Sequence, residues 1–461
     1  MKESDKRSWK VGIARRVITP PPGVELAGLG YFLERTWQTI HDDINATALV
    51  VSDDHGKSVA IVALDVLYMD SEYVEAIREK AAAGTDLQHD AICVNCSHSH
   101  NAPTMGFFDG AGEIDPDYVQ STVERAAEAI IEAWKNRKAA VITTGSQHLP
   151  NVTYNRTRDN GPVDDRVSVL RADTLDGKPL AIMVNFHAHP TVFWQVDARA
   201  VSRDAPGQIV DLLEKEFPGA TAMYVQGTCG DVNFNLEYWT PEHHLEAGQV
   251  VFDAVKAALK KSRVVANTGI GFTVRKGLLP ARRWKKEEIL AMYEEGKHRL
   301  TTGDTSGWLQ GIASTMVGIP HRLPERYGGS VEKAVQAVSR FAVRWGEDVL
   351  PKYDKMPETR TVEFQALRIG DAWIVTNPAE FFSTLALEIR KRWLHDDLFI
   401  LGYSNGSTSY LPDAFEVDRN SYASLHVPKA VRQLPFTRES GMAAVAESVA
   451  ALKDVTPGER S

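Results

Sequence analysis

The sequence predicts an α/β fold, a mixed β-sheet core flanked by helices. Three observations carry that prediction. Apolar, β-rich runs alternate with amphipathic helical stretches along most of the 461 residues. Five of these runs end in loops bearing His, Asp, Glu or Tyr, the layout by which α/β sheets gather ligands at strand C-termini. Residues 284–349, rich in Lys, Glu, Ala and Arg at helical spacing, break the alternation and read as a helical insertion. No internal repeat, low-complexity run or linker divides the chain, so residues 1–461 are expected to form a single domain.

Val11–Ala14 opens the pattern as a strand, closed by the proline-rich turn Thr19–Gly23 and a loop punctuated by Gly28 and Gly30. Ala46–Val51 and Val59–Leu67 flank the turn-forming residues 52–56 and predict a hairpin. Asp65 interrupts the second run. A carboxylate inside an apolar strand needs a partner, which makes Asp65 either a group supporting a metal or substrate or a satisfied structural aspartate. Ser71–Ala83 has helical spacing and leads into a strand at 91–96. Tyr118–Lys135 repeats apolar residues at 119, 123, 126, 127, 130, 131 and 134, an amphipathic helix. Further strands are expected at 140–144, 167–171, 181–186, 222–226, 360–369, 373–376 and 398–402, with helices at 206–216, 381–393 and 441–452. The insertion is broken by a Gly/Pro loop at 317–324 and fits either a wall of a pocket or surface packing.

Composition removes several functional classes. A net charge of −9 argues against a nucleic-acid partner, which needs a basic face. No apolar run is long enough for an integral membrane segment and no signal peptide is visible at the N-terminus, so a cytoplasmic protein is expected. Cys93, Cys96 and Cys229 cannot build a disulfide framework and suit a reducing compartment. Oligomeric state leaves no mark in the sequence.

The chemistry concentrates at two His-x-His units. His98 and His100 follow the apolar run 92–94 and stop at Pro103; His187 and His189 follow 182–184 and stop at Pro190. Residues two apart on a strand share a face, so each pair would project together. Neutral imidazoles at strand ends are good metal ligands, and either member of a pair could bind. Surface loops with incidental histidines are the plain alternative, weakened by the pattern's recurrence. The loop 226–235 adds Asp231, Asn233 and Asn235 after a Gly-rich turn. Glu380 follows another strand at the expected first turn of a helix, where a carboxylate also suits the helix dipole. Tyr410 lies in the polar loop 401–412. His243 and His244 look like an exposed pair near a turn.

These loops resemble the neutral/alkaline non-lysosomal ceramidases. Ser97-His-Ser-His-Asn-Ala-Pro103 is similar to that family's Thr-His-Thr-His-Ser-Gly-Pro, and the likeness continues in order. It runs through Asn155-Arg156, His189-Pro-Thr191, Gly230-Asp-Val-Asn-Phe-Asn235, Pro378-Ala-Glu-Phe381 and Gly402-Tyr-Ser-Asn405 to Tyr410. The resemblance implies a zinc-dependent amide hydrolase and a ceramidase-like catalytic domain, with one zinc per chain held by His98, His189, Glu380 and Tyr410. His100 would face the substrate as an acid/base or oxyanion-binding group. Arg156 would orient a polar group of the substrate, with Asn233 and Asp65 nearby and Tyr410 also contributing to catalysis. His187 has no such role and is expected to be structural.

Three departures shape the expected substrate. Asn233 stands where the family carries a serine in Gly-Asp-x-Ser-Pro-Asn, which disfavours a covalent serine route and leaves metal-activated water untouched. Ser407 replaces the first aromatic of the family's Tyr-x-x-Tyr loop. The chain ends near the catalytic domain, as a short form without the family's C-terminal extension. An amide smaller and more soluble than long-chain ceramide is therefore expected, a small-molecule or lipid-like substrate. The same scaffold admits an ester, lactone or glycosidic bond. Two histidines and a carboxylate also suit a non-haem iron enzyme, against which a fourth ligand at Tyr410 counts. A binding protein without catalysis is the remaining class.

Overall fold

The computed structural model describes residues 8–30, 33–312 and 320–457. The first half builds one large sheet from β1 (Trp9–Val17), β2 (Asn45–Ser52), β3 (Ser58–Leu64), β4 (Ile92–Cys96), β5 (Lys138–His148), β6 (Arg166–Thr174), β7 (Pro179–Phe186) and β8 (Thr221–Gln226). The order across it is β8-β7-β6-β5-β1-β2-β3-β4, with the two-residue strand Arg263–Val264 added beside β5. Helices α1 (Ser71–Ala83), α2 (Pro116–Lys135), α3 (Asp204–Glu216) and α4 (His244–Lys260) follow β3, β4, β7 and β8 in turn.

That order hides a topological repeat. Three antiparallel strands, a helix, a parallel strand and a closing helix occur twice, as β1-β2-β3-α1-β4-α2 and β5-β6-β7-α3-β8-α4. The halves meet where β1 and β5 pair antiparallel, Trp9 opposite Ala140 and Val11 opposite Lys138. In each half the closing helix lies against a glycine of the first strand. A Cβ at Gly12 would fall 1.9 Å from Ala133 O of α2, and one at Gly145 would fall 2.6 Å from Ala258 O of α4. Glycine inside a strand marks such close backbone approach. The outer strands β4 and β8 also come together: the Asn95 amide accepts from Gln226 N at 2.8 Å and donates to Gln226 O at 3.3 Å.

A second, four-stranded sheet follows, from β9 (Ile270–Pro280), β10 (Thr359–Ile369), β11 (Ala372–Thr376) and β12 (Leu398–Leu401) in that order. The sequence pattern places the strands expected at 360–369 and 373–376 in one mixed-sheet core with those before them. They instead pair with β9, a strand the pattern had not separated from its surroundings. Alternation then sets the layers. Val59, Ile61, Met183 and Met223 of the first sheet pack against Leu367, Ile369, Ile374 and Phe399 of the second. The intervening residues Ala60, Val62, Val169 and Val184 face α1–α4. Val362, Phe364, Val375 and Ile400 face α7 (Ser383–Arg392) and α8 (Ser440–Asp454). The result is helices, sheet, sheet, helices.

The helical insertion is the long connection of one hairpin. β9 and β10 pair to their ends, Pro280 opposite Thr359, and Ala281 N donates to Glu358 O at 2.8 Å. Between them run α5 (Lys286–Thr302), the 3-10 helix Pro320–Tyr327 and α6 (Val331–Val349). Ser330 caps α6 by accepting from Lys333 N. Its apolar stripe, Val335, Val338, Phe341, Ala342 and Trp345, meets Ile289 and Met292 of α5. Of the expected Gly/Pro loop, residues 317–319 lie outside the described residues, and Pro320–Pro324 belong to the 3-10 helix. Among the described residues, no helix is long and apolar enough to cross a membrane.

Candidate metal centre

β4 ends at Cys96, two residues short of His98, so strand alternation does not align the two histidines as the pattern suggested. The chain follows the segment beyond β3 instead, with Ser97 N donating to Leu64 O and His98 N to Val66 O. At His98 it turns through a left-handed conformation, φ 66°, a strain of the kind that gathers at functional sites. His98 Nδ1 lies 3.0 Å from Leu67 O. A carbonyl can only accept, so the proton sits on Nδ1 and Nε2 presents a lone pair. His189, past the end of β7, repeats the arrangement: its Nδ1 lies 2.5 Å from Cys229 O. Each imidazole is thereby held by a backbone carbonyl from behind, the usual support of a metal-binding histidine.

Glu380 does not begin a helix. It forms a two-residue parallel strand, Glu380–Phe381, with Tyr410–Leu411, and α7 starts only at Ser383. The edge pairing fixes the carboxylate and the phenol side by side. The Nε2 atoms of His98 and His189 are 3.2 Å apart, and Glu380 Oε2 is 3.4 Å from each. A tetrahedral ion with bonds of about 2.1 Å spaces its ligands about 3.4 Å apart. Two lone pairs and a carboxylate facing one point at that spacing, all buried, are a set that a cation between them would satisfy. The donor set therefore fits a metal ion.

His100 also reaches this point. Its Nε2 is 3.3 Å from that of His98, and His98, His100 and His189 together form a buried group able to hold a metal. Its Nδ1 is buried with no hydrogen-bond partner among the described residues. Burial drives the pKa of His100 well below the usual value and that of His189 to about 3, so both are neutral at pH 7. Arg156 Nη2 donates to Tyr410 Oη at 2.7 Å and to Gly230 O at 2.9 Å, and lies 3.3 Å from His189 Nε2. Burial pushes the Tyr410 hydroxyl well above its ordinary pKa although Arg156 opposes the shift.

The structure thus brings together His98, His100, His189, Glu380, Tyr410 and Arg156. Asn233 is at their edge, its backbone bridged to His189 and its buried Oδ1 without a partner among the described residues. Asp65 is elsewhere. It lies one residue beyond β3, accepts from Asn45 N at 2.9 Å and faces Arg203, Asp42 and Arg15. Its carboxylate is committed to that charged cluster between the halves of the first sheet. His187 is tied into the scaffold: Thr228 N donates to its Nδ1 at 2.9 Å, and Asp164 and Arg390 flank its Nε2.

Two further side chains sit on the centre that sequence reasoning gave no role. Tyr403 packs its ring 4.3 Å from that of His98 and places its hydroxyl 3.5 Å from Glu380 Oε2. Tyr68 lies flat beside His98, ring centroids 6.0 Å apart, with Phe108 another 6.0 Å on; its hydroxyl is buried without a partner among the described residues. The signal for Tyr403 was its place in the strand-end loop 402–405. Tyr68 left none, since it follows an apolar run that looked like strand. Asp231 also acts behind the centre, accepting from Ser383 N and from the Asn155 amide, and so ties three loops together.

Comparison with known proteins follows the geometry. Residues 9–246, just over half of the chain, match the family described as neutral/alkaline non-lysosomal ceramidase, N-terminal. The neutral ceramidase of Drosophila melanogaster is 26% identical over 258 residues, 50% of this chain and 36% of that protein, and that of Drosophila pseudoobscura pseudoobscura matches equally. The matched region thus spans little more than a third of these relatives' length. The crystal structure of neutral ceramidase from Pseudomonas aeruginosa superposes with a TM-score of 0.68 at 17% identity, over 98% of this chain and 76% of that one. A ceramidase complexed with C2 gives the same TM-score at 18% identity. These structures share the fold.

Proposed function

The chain belongs to the neutral/alkaline non-lysosomal ceramidase family, and from that premise we propose that it is a zinc-dependent hydrolase of an N-acyl amide bond. The observation that supports the proposal is the meeting of His98, His189 and Glu380 within 3.4 Å of one another, with Tyr410 paired beside Glu380. When bound there, zinc supplies Lewis acidity and lowers the pKa of water toward about 7. The protein's own groups account for the rest. His98 and His189, protonated at Nδ1 by their carbonyl partners, keep their lone pairs inward. Arg156 holds the Tyr410 hydroxyl and presents positive charge beside the reacting carbonyl. His100, neutral and with its Nε2 turned toward the same point, is positioned in this reading to donate to the developing oxyanion or pass a proton to the leaving amine. Tyr68, Phe108, Tyr410 and Tyr422 give the approach an aromatic wall suited to an apolar acyl group. In this reading the amide is smaller than long-chain ceramide and residues 1–461 act as one catalytic unit.

Metal analysis and turnover of single variants test the assignment. The purified protein should hold one zinc per chain. His98→Ala and Glu380→Ala should lose it, while His100→Ala should keep it and lose turnover by about 10²–10³-fold on an N-acyl amide. Zinc lost from His100→Ala would exchange the roles of the two histidines. Full activity in His98→Ala and Glu380→Ala would overturn the proposal.

A further inference from the structure

A cavity of about 550 Å³ opens away from the metal centre, between the insertion and residues 432–434. Its walls are apolar, built from Val349, Met356, Leu434 and Trp284. Its charged lining is one-sided: Lys352, Lys355, Arg360 and Arg432 against Asp348 alone. Asp348 is engaged by Lys352 and Arg432, and Arg432 also pairs with Asp109, so the cations left over are Lys355 and Arg360. Arg360, part-buried, is held by neutral oxygens, Leu434 O at 2.9 Å and Thr408 O at 2.8 Å, and stacks its guanidinium 4.1 Å over Phe436. No carboxylate pairs with Arg360 or Lys355 among the described residues.

A second feature points the same way. Trp284 is 3% exposed and lines the cavity, yet its indole N–H has no hydrogen-bond partner among the described residues. An indole nitrogen can only donate, and a buried donor left unpaired is costly unless a ligand accepts from it. Surplus cations and an unused donor select an anion. The apolar walls select one with a hydrocarbon body, because inorganic phosphate would leave them wet. The volume suits one small ligand, within the range of small-molecule pockets.

We propose that this cavity is a binding site for a single-chain amphiphilic carboxylate, its head group met by Lys355, Arg360 and the Trp284 N–H and its chain lying on Val349, Met356 and Leu434. The site is separate from the metal centre and does not depend on which bond is hydrolysed there.

Isothermal titration of the full chain with decanoate below its micellar concentration tests this. Saturable binding of one decanoate per chain is expected, weakened roughly tenfold in Lys355→Glu and also weakened in Trp284→Phe, which keeps the ring and removes the donor. Lys355 is exposed, so its variant should fold even if the tryptophan variant does not. Decan-1-ol and inorganic phosphate should each bind far more weakly than decanoate. The isotherm should persist in His98→Ala; its loss there would move the ligand to the histidine cluster and overturn the proposal. Equal binding of decan-1-ol, unchanged affinity in Lys355→Glu, or binding to phosphatidylglycerol vesicles without binding of monomeric decanoate would overturn it as well.

Discussion

His98 and His100 differ by what stands behind them. His98 has its Nδ1 fixed by Leu67 O, whereas His100 has an Nδ1 with no partner, packed against Gly28, where a Cβ would fall 2.6 Å away. The first is backed as metal-binding histidines are; the second has no such backing, which is the basis for proposing that its Nε2 acts on substrate. Gly28 has φ 94°, so Gly28→Ala is strained twice, by its backbone and by His100. Its expected effect is a loss of turnover with zinc content retained, checked by metal analysis beside kinetics. Tyr68 offers a complementary test. Its buried hydroxyl lacks a partner, so Tyr68→Phe should leave stability unchanged or raise it by ~1 kcal/mol; a fall of more than that in urea denaturation would mean that the hydroxyl is satisfied. Sequence made the strand-end loops bearing His98, His189, Glu380 and Tyr410 stand out, and the family resemblance then put them forward as a ligand set. The residue pattern could not order His98 against His100, since spacing says nothing of which carbonyl stands behind a ring. Nor could it show that Asp65 faces Arg203, a residue 138 positions away.

Between the loops, contact is backbone against backbone. A Cβ at Gly230 would fall 2.5 Å from Glu380 O, with no flexible side chain to give way. Gly230→Ala should therefore push Glu380 off the cluster, costing about 1–3 kcal/mol of stability and weakening zinc binding, which a chelator competition would read. The helices were legible to within a few residues. Ser71–Ala83 was read without error, and the helix expected at 118–135 begins two residues earlier because Pro116 suits its first turn and Asp115 caps it. Strand ends were less so. Val66 and Leu67 are apolar enough to prolong β3, but their backbones serve His98. Glu380 looked like a helix start because the dipole rule fits the sequence; the pairing with Tyr410, thirty residues on, has no local signature. α4, 17 residues without a side-chain cap, and β9, 11 residues and largely half-buried, escaped notice for a related reason, the lack of strong boundary residues.

At the scale of the molecule, burial sets a pH dependence. Asp204 is 2% exposed and burial raises its carboxyl to about 7, against 3.8 in the unfolded chain. The folded state thus binds its proton more tightly, and this residue's contribution to stability falls as pH rises from about 4 through 7. Buried His187, lowered to about 4 by burial, acts in the opposite sense. The clean measurement is a difference: relative to Asp204→Asn, the wild type should gain about 2–3 kcal/mol between pH 8 and pH 5, read from urea midpoints. The class of fold was visible from the alternation of strands and helices. The split into two sheets and the doubled topology were not, because equivalent places carry unlike residues: Asp65 follows β3 where His187 follows β7. That doubling has a consequence for the ion. His98 comes from one half of the first sheet, His189 from the other, and Glu380 and Tyr410 from beyond the second sheet. An ion held at their meeting point would clasp three separately built pieces of the chain and so couple its occupancy to folding. Zinc at a hundredfold above its Kd should add ~2.7 kcal/mol to the unfolding free energy, and a chelator should lower the melting temperature and loosen the seam between β4 and β8 before either half unravels.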